Sequence, residues 1–218
     1  MSKKSITIDA MQEFKSGKIQ ENSEIFNKYD IEFRNFVTEL EYGDVLLVDD
    51  KSGDVLYSEL KESDYKSNLL TGTTKNTVVA TAFKAVKDSS DKNFITITDY
   101  QFYEPSNNKP IACIAAPIYN KDEKIGVIIF KMPSTKIDSI TSNGGKWESL
   151  KLGNSGDVVI IGSDYKMRNT NRFWSSETDP KILEAKSGIL LKEGKTEGTM
   201  NLMQGITSTE QYTDYRGI

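Results

Sequence analysis

The spacing of the hydrophobic residues changes at Gly43, and this change limits the fold more than any other feature of the chain. Up to Leu40, apolar side chains recur every three or four residues, which is the spacing of one face of an α-helix. From Asp44 they form short continuous runs bounded by turn residues, which is typical of buried strands. A mixed α+β fold is therefore expected. The helical face comprises Ile25, Phe26, Tyr29, Phe33, Phe36, Val37 and Leu40.

The first forty residues predict one long helix with a weak point at Ser16–Gly17, and the residues after Gly43 predict a sheet. Two strands, Asp44 to Asp49 and Asp54 to Ser58, flank a turn and are followed by a helix with Asn76 as its N-cap. Three further strands are predicted at 94–98, 111–119 and 124–131. This order of elements predicts an antiparallel sheet of five strands.

The pattern appears a second time after a loop at Asn143–Gly145. The segment Gly43 to Val48 is echoed by Gly156 to Ile161, which predicts a second module of the same kind. The alternative is chance, because Gly-Asp before a Val/Ile run is common in β-rich proteins. A short helix is expected at 179–186, and strands near 196–203 and 206–212. The second sheet is expected to be incomplete, because the sequence ends before two long strands like those at 111–131.

Composition argues against several classes of function. The chain has no histidine and a single cysteine, Cys113, which removes Ser-His and Cys-His catalysis, imidazole metal ligation and intrachain disulfides. We expect Cys113 to be a small buried hydrophobe. The 28 basic and 32 acidic residues are interspersed, without the basic stripe of a nucleic-acid binder. The longest apolar stretches are too short to span a bilayer.

Several motifs resemble double-Cache sensor regions, and they occur in the expected order along nearly the whole chain. The hairpin Tyr42 to Ser58 is similar to the opening of the first module, and Asn68–Gly72, Tyr103–Ser106 and Ala115–Ile118 are similar to later parts of it. The runs that resemble the second module are Asn143–Trp147, Gly153–Asp157, Lys166–Phe173 and Asp214–Gly217. Such regions lie outside the cytoplasmic membrane on chemotaxis receptors, histidine kinases and nucleotide cyclases.

The resemblance implies an organisation in three parts. Residues 1–41 would be a helical stalk, 42–133 a membrane-distal PAS-like module, and 134–218 a linker helix with a truncated membrane-proximal module. It also implies a ligand pocket in the distal module. Polar side chains that line such a pocket would fix the ligand's orientation, with tyrosines as walls and an aspartate as the partner of an amine. The candidates are Tyr57, Asp64, Tyr65, Asp99, Tyr100, Tyr103 and Ser106. The alternative for each is packing or turn formation.

Two residue types that are absent from the predicted distal module limit the class of ligand that it can bind. In family members that bind amino acids, an arginine closely followed by a tryptophan holds the ligand carboxylate, but residues 42–133 contain neither residue type. Arg172-Phe-Trp174 imitates the motif in the wrong module. No metal site is expected either. The aspartates at positions 44, 49, 50 and 54 lack the spacing of a calcium loop and are expected to be solvated at turns and strand ends.

The sequence thus predicts a periplasmic ligand-sensing domain of an inner-membrane chemotaxis receptor, without catalytic activity or cofactor. Its partners would be a small molecule, a second copy of the chain through the N-terminal helix, and the membrane only through spans outside this sequence; nucleic acid is not expected. The alternatives are the sensor region of a nucleotide cyclase or histidine kinase, and a PAS-like interaction domain that binds no ligand.

Overall fold

The computed structural model describes residues 3–207 and 209–218, which divide between two compact units, Met1–Pro133 and Ser134–Ile218. The first unit holds two helices and then a mixed region of strands and one helix. The second unit is helical and irregular. None of the helices formed by the described residues combines the length and the hydropathy needed to cross a lipid bilayer.

The N-terminal region forms two helices, α1 (Lys3–Lys15) and α2 (Glu24–Leu40), so the prediction of one long helix is wrong. The chain leaves α1 at the predicted weak point, where Gly17 adopts a φ of +68° that glycine tolerates at little cost. Helix α2 starts afresh at Ser23, whose hydroxyl accepts the N–H of Phe26 at 3.2 Å. Most of its apolar face is buried within the first unit, and the buried residues are Phe26, Tyr29, Phe33, Phe36 and Val37. Ile25 and Leu40 of the same face are exposed.

The sheet of the first unit is antiparallel and has six strands in place of the predicted five. These are β1 (Asp44–Asp49), β2 (Val55–Ser58), β3 (Thr96–Ile97), β4 (Gln101–Tyr103), β5 (Lys109–Asn120) and β6 (Glu123–Pro133). Their order is β2-β1-β6-β5-β3, and β4 also pairs with β5. Sequence analysis missed β4, which is only three residues long and has two exposed residues.

Both faces of this sheet are covered, which explains the continuous apolar run of β1. Val45 and Leu47 belong to the core shared with α1 and α2, whereas Leu46 and Val48 pack in the core shared with helix α3 (Val78–Asp88). The N-cap of α3 is Thr77, one residue after the predicted Asn76. On the α3 face, Cys113 is fully buried as predicted, and burial raises the pKa of its thiol to about 12.

The described residues of the second unit form three α-helices, α4 (Thr135–Ser142), α5 (Pro180–Ala185) and α6 (Glu197–Met203), and two short 3₁₀ helices at Trp147–Leu150 and Trp174–Ser176. The strand predicted near 196–203 is wrong, because Thr196 and Thr199 form a capping box that starts α6. In the described part of this unit, β pairing is limited to isolated bridges that join Ile161 to Met167 and Lys166 to Glu193. The second antiparallel sheet predicted from the repeat at Gly156 to Ile161 is therefore not found among the described residues. The described residues of 206–212 likewise form no strand.

Candidate functional site

A lysine is buried at the end of the central strand pair. Lys131 on β6 lies directly opposite Asp44 on β1 in the antiparallel register, on the face that carries α3. Its side chain is 1% exposed, and its Nζ lies 3.0 Å from Asp44 Oδ2. A lysine is rarely buried to this degree unless its charge is paired, so the surroundings of this ammonium group determine what the site can do.

The loop after β2 brings two more carboxylates to the same ammonium. Lys131 Nζ lies 2.7 Å from Asp64 Oδ2 and 2.9 Å from Glu62 Oε2. Asp44 and Asp64 are fully buried, whereas the Glu62 side chain is 20% exposed and is the outermost member. We call Asp44, Glu62, Asp64 and Lys131 the lysine cluster. Three carboxylates face one ammonium there, so the cluster carries excess negative charge if all its members are ionised.

Two of the predicted ligand residues complete this network. Tyr103 Oη donates to Asp64 Oδ2 at 2.7 Å, and Ser106 Oγ donates to Glu62 Oε2 at 2.5 Å. The ring of Tyr103 also lies beneath the ammonium, with 5.1 Å between Lys131 Nζ and the ring centroid. Burial and then the Asp64 carboxylate raise the pKa of Tyr103 far above its usual value, so its hydroxyl remains a donor.

One buried hydrogen-bond acceptor of the lysine cluster has no donor. Asp44 is saturated, since it accepts from the hydroxyl of Ser58 and from the backbone N–H groups of 45, 59 and 60. Asp64 differs, because its Oδ1 is buried and has no hydrogen-bond partner. An unpaired buried carboxylate oxygen is costly, and it marks the point where a donor from a ligand would be most favourable.

The ammonium of Lys131 occupies the position that a metal ion would take. One oxygen each from Asp44, Glu62 and Asp64 lie within 4.8 Å of one another, close enough to hold a cation. Burial by itself lowers the pKa of Lys131, but the carboxylates of Asp44 and Asp64 more than offset this and raise it above the usual value. The lysine is therefore charged at neutral pH, and the carboxylates already hold a cation of the protein.

The other predicted ligand residues lie elsewhere. Tyr57 is buried on the opposite face of the sheet, where its Oη donates to Asp30 Oδ1 at 3.0 Å. Tyr65 donates to Glu21 at 2.7 Å, on the side of the N-terminal helices. Asp99 is exposed and accepts the N–H of Tyr100 at 2.7 Å. Tyr100 Oη donates to the carbonyl oxygen of Pro133 at 3.5 Å, near the end of β6. The structure thus joins Asp64, Tyr103 and Ser106 in one network with Lys131 and places Tyr57 and Tyr65 elsewhere.

Sequence analysis missed Lys131 and Glu62 and misjudged Asp44. Asp44 and Asp49 were expected to be solvated at turns and strand ends but are buried, which is a correction. A usable signal was present in β6, because residues 127, 129 and 131 share one face of the strand and the first two are buried apolar side chains. The alternation therefore directs the third, a lysine, into the core, where it needs acidic partners.

No protein-family model matches the chain, and no curated protein does. Among solved structures, it is similar to the sensory domain of the Campylobacter jejuni chemoreceptor Tlp3 with isoleucine bound, with 13% identity and a TM-score of 0.47 over 94% of this chain and 71% of that one. It is also similar to the ligand-binding domain of the Pseudomonas fluorescens chemoreceptor CtaA in complex with L-serine (14%, TM-score 0.46, 82% and 70%).

A third similar structure is the sensor domain of the V. cholerae histidine kinase DctB, with 17% identity, a TM-score of 0.44 and 63% of this chain covered. The chain spans only 46% of that domain. All three are sensor or ligand-binding domains of chemoreceptors and histidine kinases. The chain is thus similar to sensor domains of the receptor classes that its sequence motifs resemble.

Proposed function

We propose that this chain is an extracytoplasmic ligand-sensing region of a chemotaxis receptor, of the double-Cache kind, and that it binds a small molecule at the lysine cluster. The observation that carries the proposal is the buried, unpaired Oδ1 of Asp64 within a network of three carboxylates. Convergent polar groups among apolar side chains are one of the features of small-molecule sites. The sequence motifs support the receptor class.

The charge of the cluster indicates the ligand's chemistry. Three carboxylates surround one ammonium that is already hydrogen-bonded, so a ligand carboxylate would meet repulsion. A primary amine would instead donate to Asp64 and compensate the excess negative charge. The proposed entry is past Glu62, the most exposed of the three carboxylates. The ligand would signal by its differential affinity for two arrangements of the loop that carries Glu62 and Asp64.

A thermal-shift and calorimetry screen tests this proposal. Small amines should stabilise the protein, by about 2.7 kcal/mol at 100 times the dissociation constant if they bind only the native state. Asp64→Asn should weaken binding about tenfold or more, because the charge-assisted hydrogen bond is lost, and Tyr103→Phe should weaken it less. Tyr57→Phe removes a buried hydroxyl on the opposite face and is the matched control.

Three outcomes would count against the proposal. Binding of amines that Asp64→Asn leaves unchanged would place the site elsewhere. Selective binding of carboxylates would contradict the charge argument. A folded protein that binds none of the amines, acids, sugars or purines would favour the alternative of an interaction domain without a small-molecule ligand. These outcomes do not distinguish a chemotaxis receptor from a nucleotide cyclase or a histidine kinase, because the sensor regions of all three share this architecture. In each of these proteins the sensing region itself needs no catalytic activity.

The proposal includes a weak homodimer through α2. The apolar residues that α2 leaves exposed are Ile25, Ile31 and Leu40, each at least half exposed. They are scattered around the helix, so they offer a small contact area, and weak association is expected. Sedimentation velocity over a hundredfold concentration range should show a dimer only at high concentration, and Leu40→Asp should remove it. A strictly monomeric protein, or a dimer that Leu40→Asp and Ile31→Asp leave intact, would contradict this part of the proposal.

A further inference from the structure

A cavity lies on the other side of the first unit from the lysine cluster. It has a volume of about 550 Å³ and lies between the α1–α2 connection and strand β2. This volume is within the range of pockets that hold small ligands. Its lining includes no member of the lysine cluster, although Tyr65 and Lys66 of the lining directly follow Asp64 in the chain.

The floor of this cavity is apolar and well anchored. Phe14 and Phe26 pack edge to face, with 5.8 Å between ring centroids, and both rings are largely buried. Ile19 and Leu56 add aliphatic surface to the same wall. Rings held by their neighbours present a fixed apolar surface at little entropic cost, so the cavity suits a ligand with an apolar body.

The rim carries charges of both signs, and they do not balance within the lining. Glu21 pairs with Lys66 at 2.6 Å and accepts from Tyr65 Oη at 2.7 Å, so its charge is compensated. The carboxylate of Asp54, which also lines the cavity, is held by the neutral amide of Asn68 at 2.7 Å. Asp54 is thus the carboxylate of the lining that is held by a neutral group, and it is the point at which the positive charge of a ligand would find an acidic partner.

The aromatic floor also accommodates positive charge. Lys61 Nζ lies 4.8 Å from the centroid of the Phe26 ring, so this ring already interacts with an ammonium group. That ammonium is shared with Asp30, 3.8 Å away, on the helix side. We infer that the cavity is a second binding site of the domain, for a small organic ammonium ion with an apolar body. The ammonium group would pair with Asp54 at the rim, and the apolar body would cover the two phenylalanine rings.

Such a ligand would connect two parts of the chain that are far apart in sequence. The connection between α1 and α2 contributes Ile19 and Glu21, β2 contributes Leu56, and Asp54 directly precedes that strand. Occupancy would therefore restrict the α1–α2 connection relative to the sheet. Because the lysine cluster lies on the opposite face, the two sites can be separated by mutation.

Amide NMR titrations with phenethylammonium chloride test this inference, with 2-phenylethanol and phenylacetate as neutral and anionic probes of similar shape. The cation should give saturable shifts at the amides of 19–21 and 54–56, whereas the other two probes should bind at least tenfold more weakly. Asp54→Asn should weaken the cation about tenfold, because a charge-assisted interaction is lost. Asp88→Asn, at an exposed aspartate away from the cavity lining, is the control.

The two sites are distinguished by a crossed pair of variants. Asp64→Asn should leave the cavity titration unchanged, and Asp54→Asn should leave amine binding at the lysine cluster unchanged. Equal binding of all three probes would overturn the choice of a cation, and shifts centred on residues near 131 would overturn the location. Absence of saturable shifts at millimolar concentrations would overturn the site itself, whatever the outcome at the lysine cluster.

Discussion

Lys131→Met is expected to lower the free energy of unfolding at pH 7 by about 3–5 kcal/mol, because it leaves buried carboxylates without their cation. Methionine retains most of the side-chain volume, so the loss reports the charge and not a cavity. The Nζ of Lys131 lies within 3.0 Å of Asp44, Glu62 and Asp64, and two of these three are fully buried. Urea denaturation, followed by far-UV circular dichroism, measures the change.

The pH dependence separates this explanation from a general loss of packing. Carboxylates without a cation are relieved by protonation, so the deficit of Lys131→Met should be smaller at pH 4 than at pH 7. In the wild type, the folded pKa of Lys131 is raised, so its contribution is fully present below the unfolded value of about 10.4 and is lost only as pH rises through the folded value. Lys109→Met, at an exposed lysine of β5, should be nearly neutral. An equal deficit at both pH values would contradict the electrostatic account.

Phe33→Ala is expected to destabilise the first unit by about 3–5 kcal/mol, since it removes a fully buried aromatic ring from the core shared by α2 and the sheet. The ring of Phe33 lies 5.1 Å from that of Tyr57 on β2, centroid to centroid, so the cavity would open between helix and sheet. Ile31→Ala on the same helix is the matched control, because Ile31 is 56% exposed and its truncation should cost within about 0.5 kcal/mol.

The same experiment tests whether α2 is part of the folded unit or a separate stalk. A single cooperative transition, shifted to lower urea concentration, is expected if helix and sheet unfold together. A biphasic transition in which helical signal is lost first would instead indicate that the helix is only loosely attached to the sheet.

The fold was largely predictable where one local rule decided the structure. The β1 segment is an apolar run between Gly43 and a turn, and its bounds were predicted as observed. The rule failed where capping competed with strand propensity. Thr196 to Met203 was predicted as a strand, but the side chain of Thr196 accepts the N–H of Thr199 and starts a helix. The capping hydrogen bond between Thr196 and Thr199 thus decided in favour of a helix.

The site was less predictable because it depends on contacts between distant residues. Tyr103 and Asp64 were recognisable as polar groups near a pocket, but 39 residues separate them and only the folded loop joins them. Lys131 lies 69 residues from Glu62 and 87 from Asp44. Tyr57 was predicted to line the pocket but lies on the opposite face of the sheet from the lysine cluster. A shift of one residue along β2 decides which face of the sheet a side chain reaches.

The lysine cluster also limits how this sequence can diverge. Replacing the lysine alone leaves its carboxylates without their cation, and replacing Asp44 or Asp64 alone leaves buried donors without their acceptor. Each of these single substitutions is therefore expected to give a less stable protein. Replacing all members together by apolar residues does not carry this cost, because no buried charge is left unpaired. Descendants of this chain are expected to inherit the four residues as a block or to lose them together, so their joint presence would trace ancestry better than any one of them.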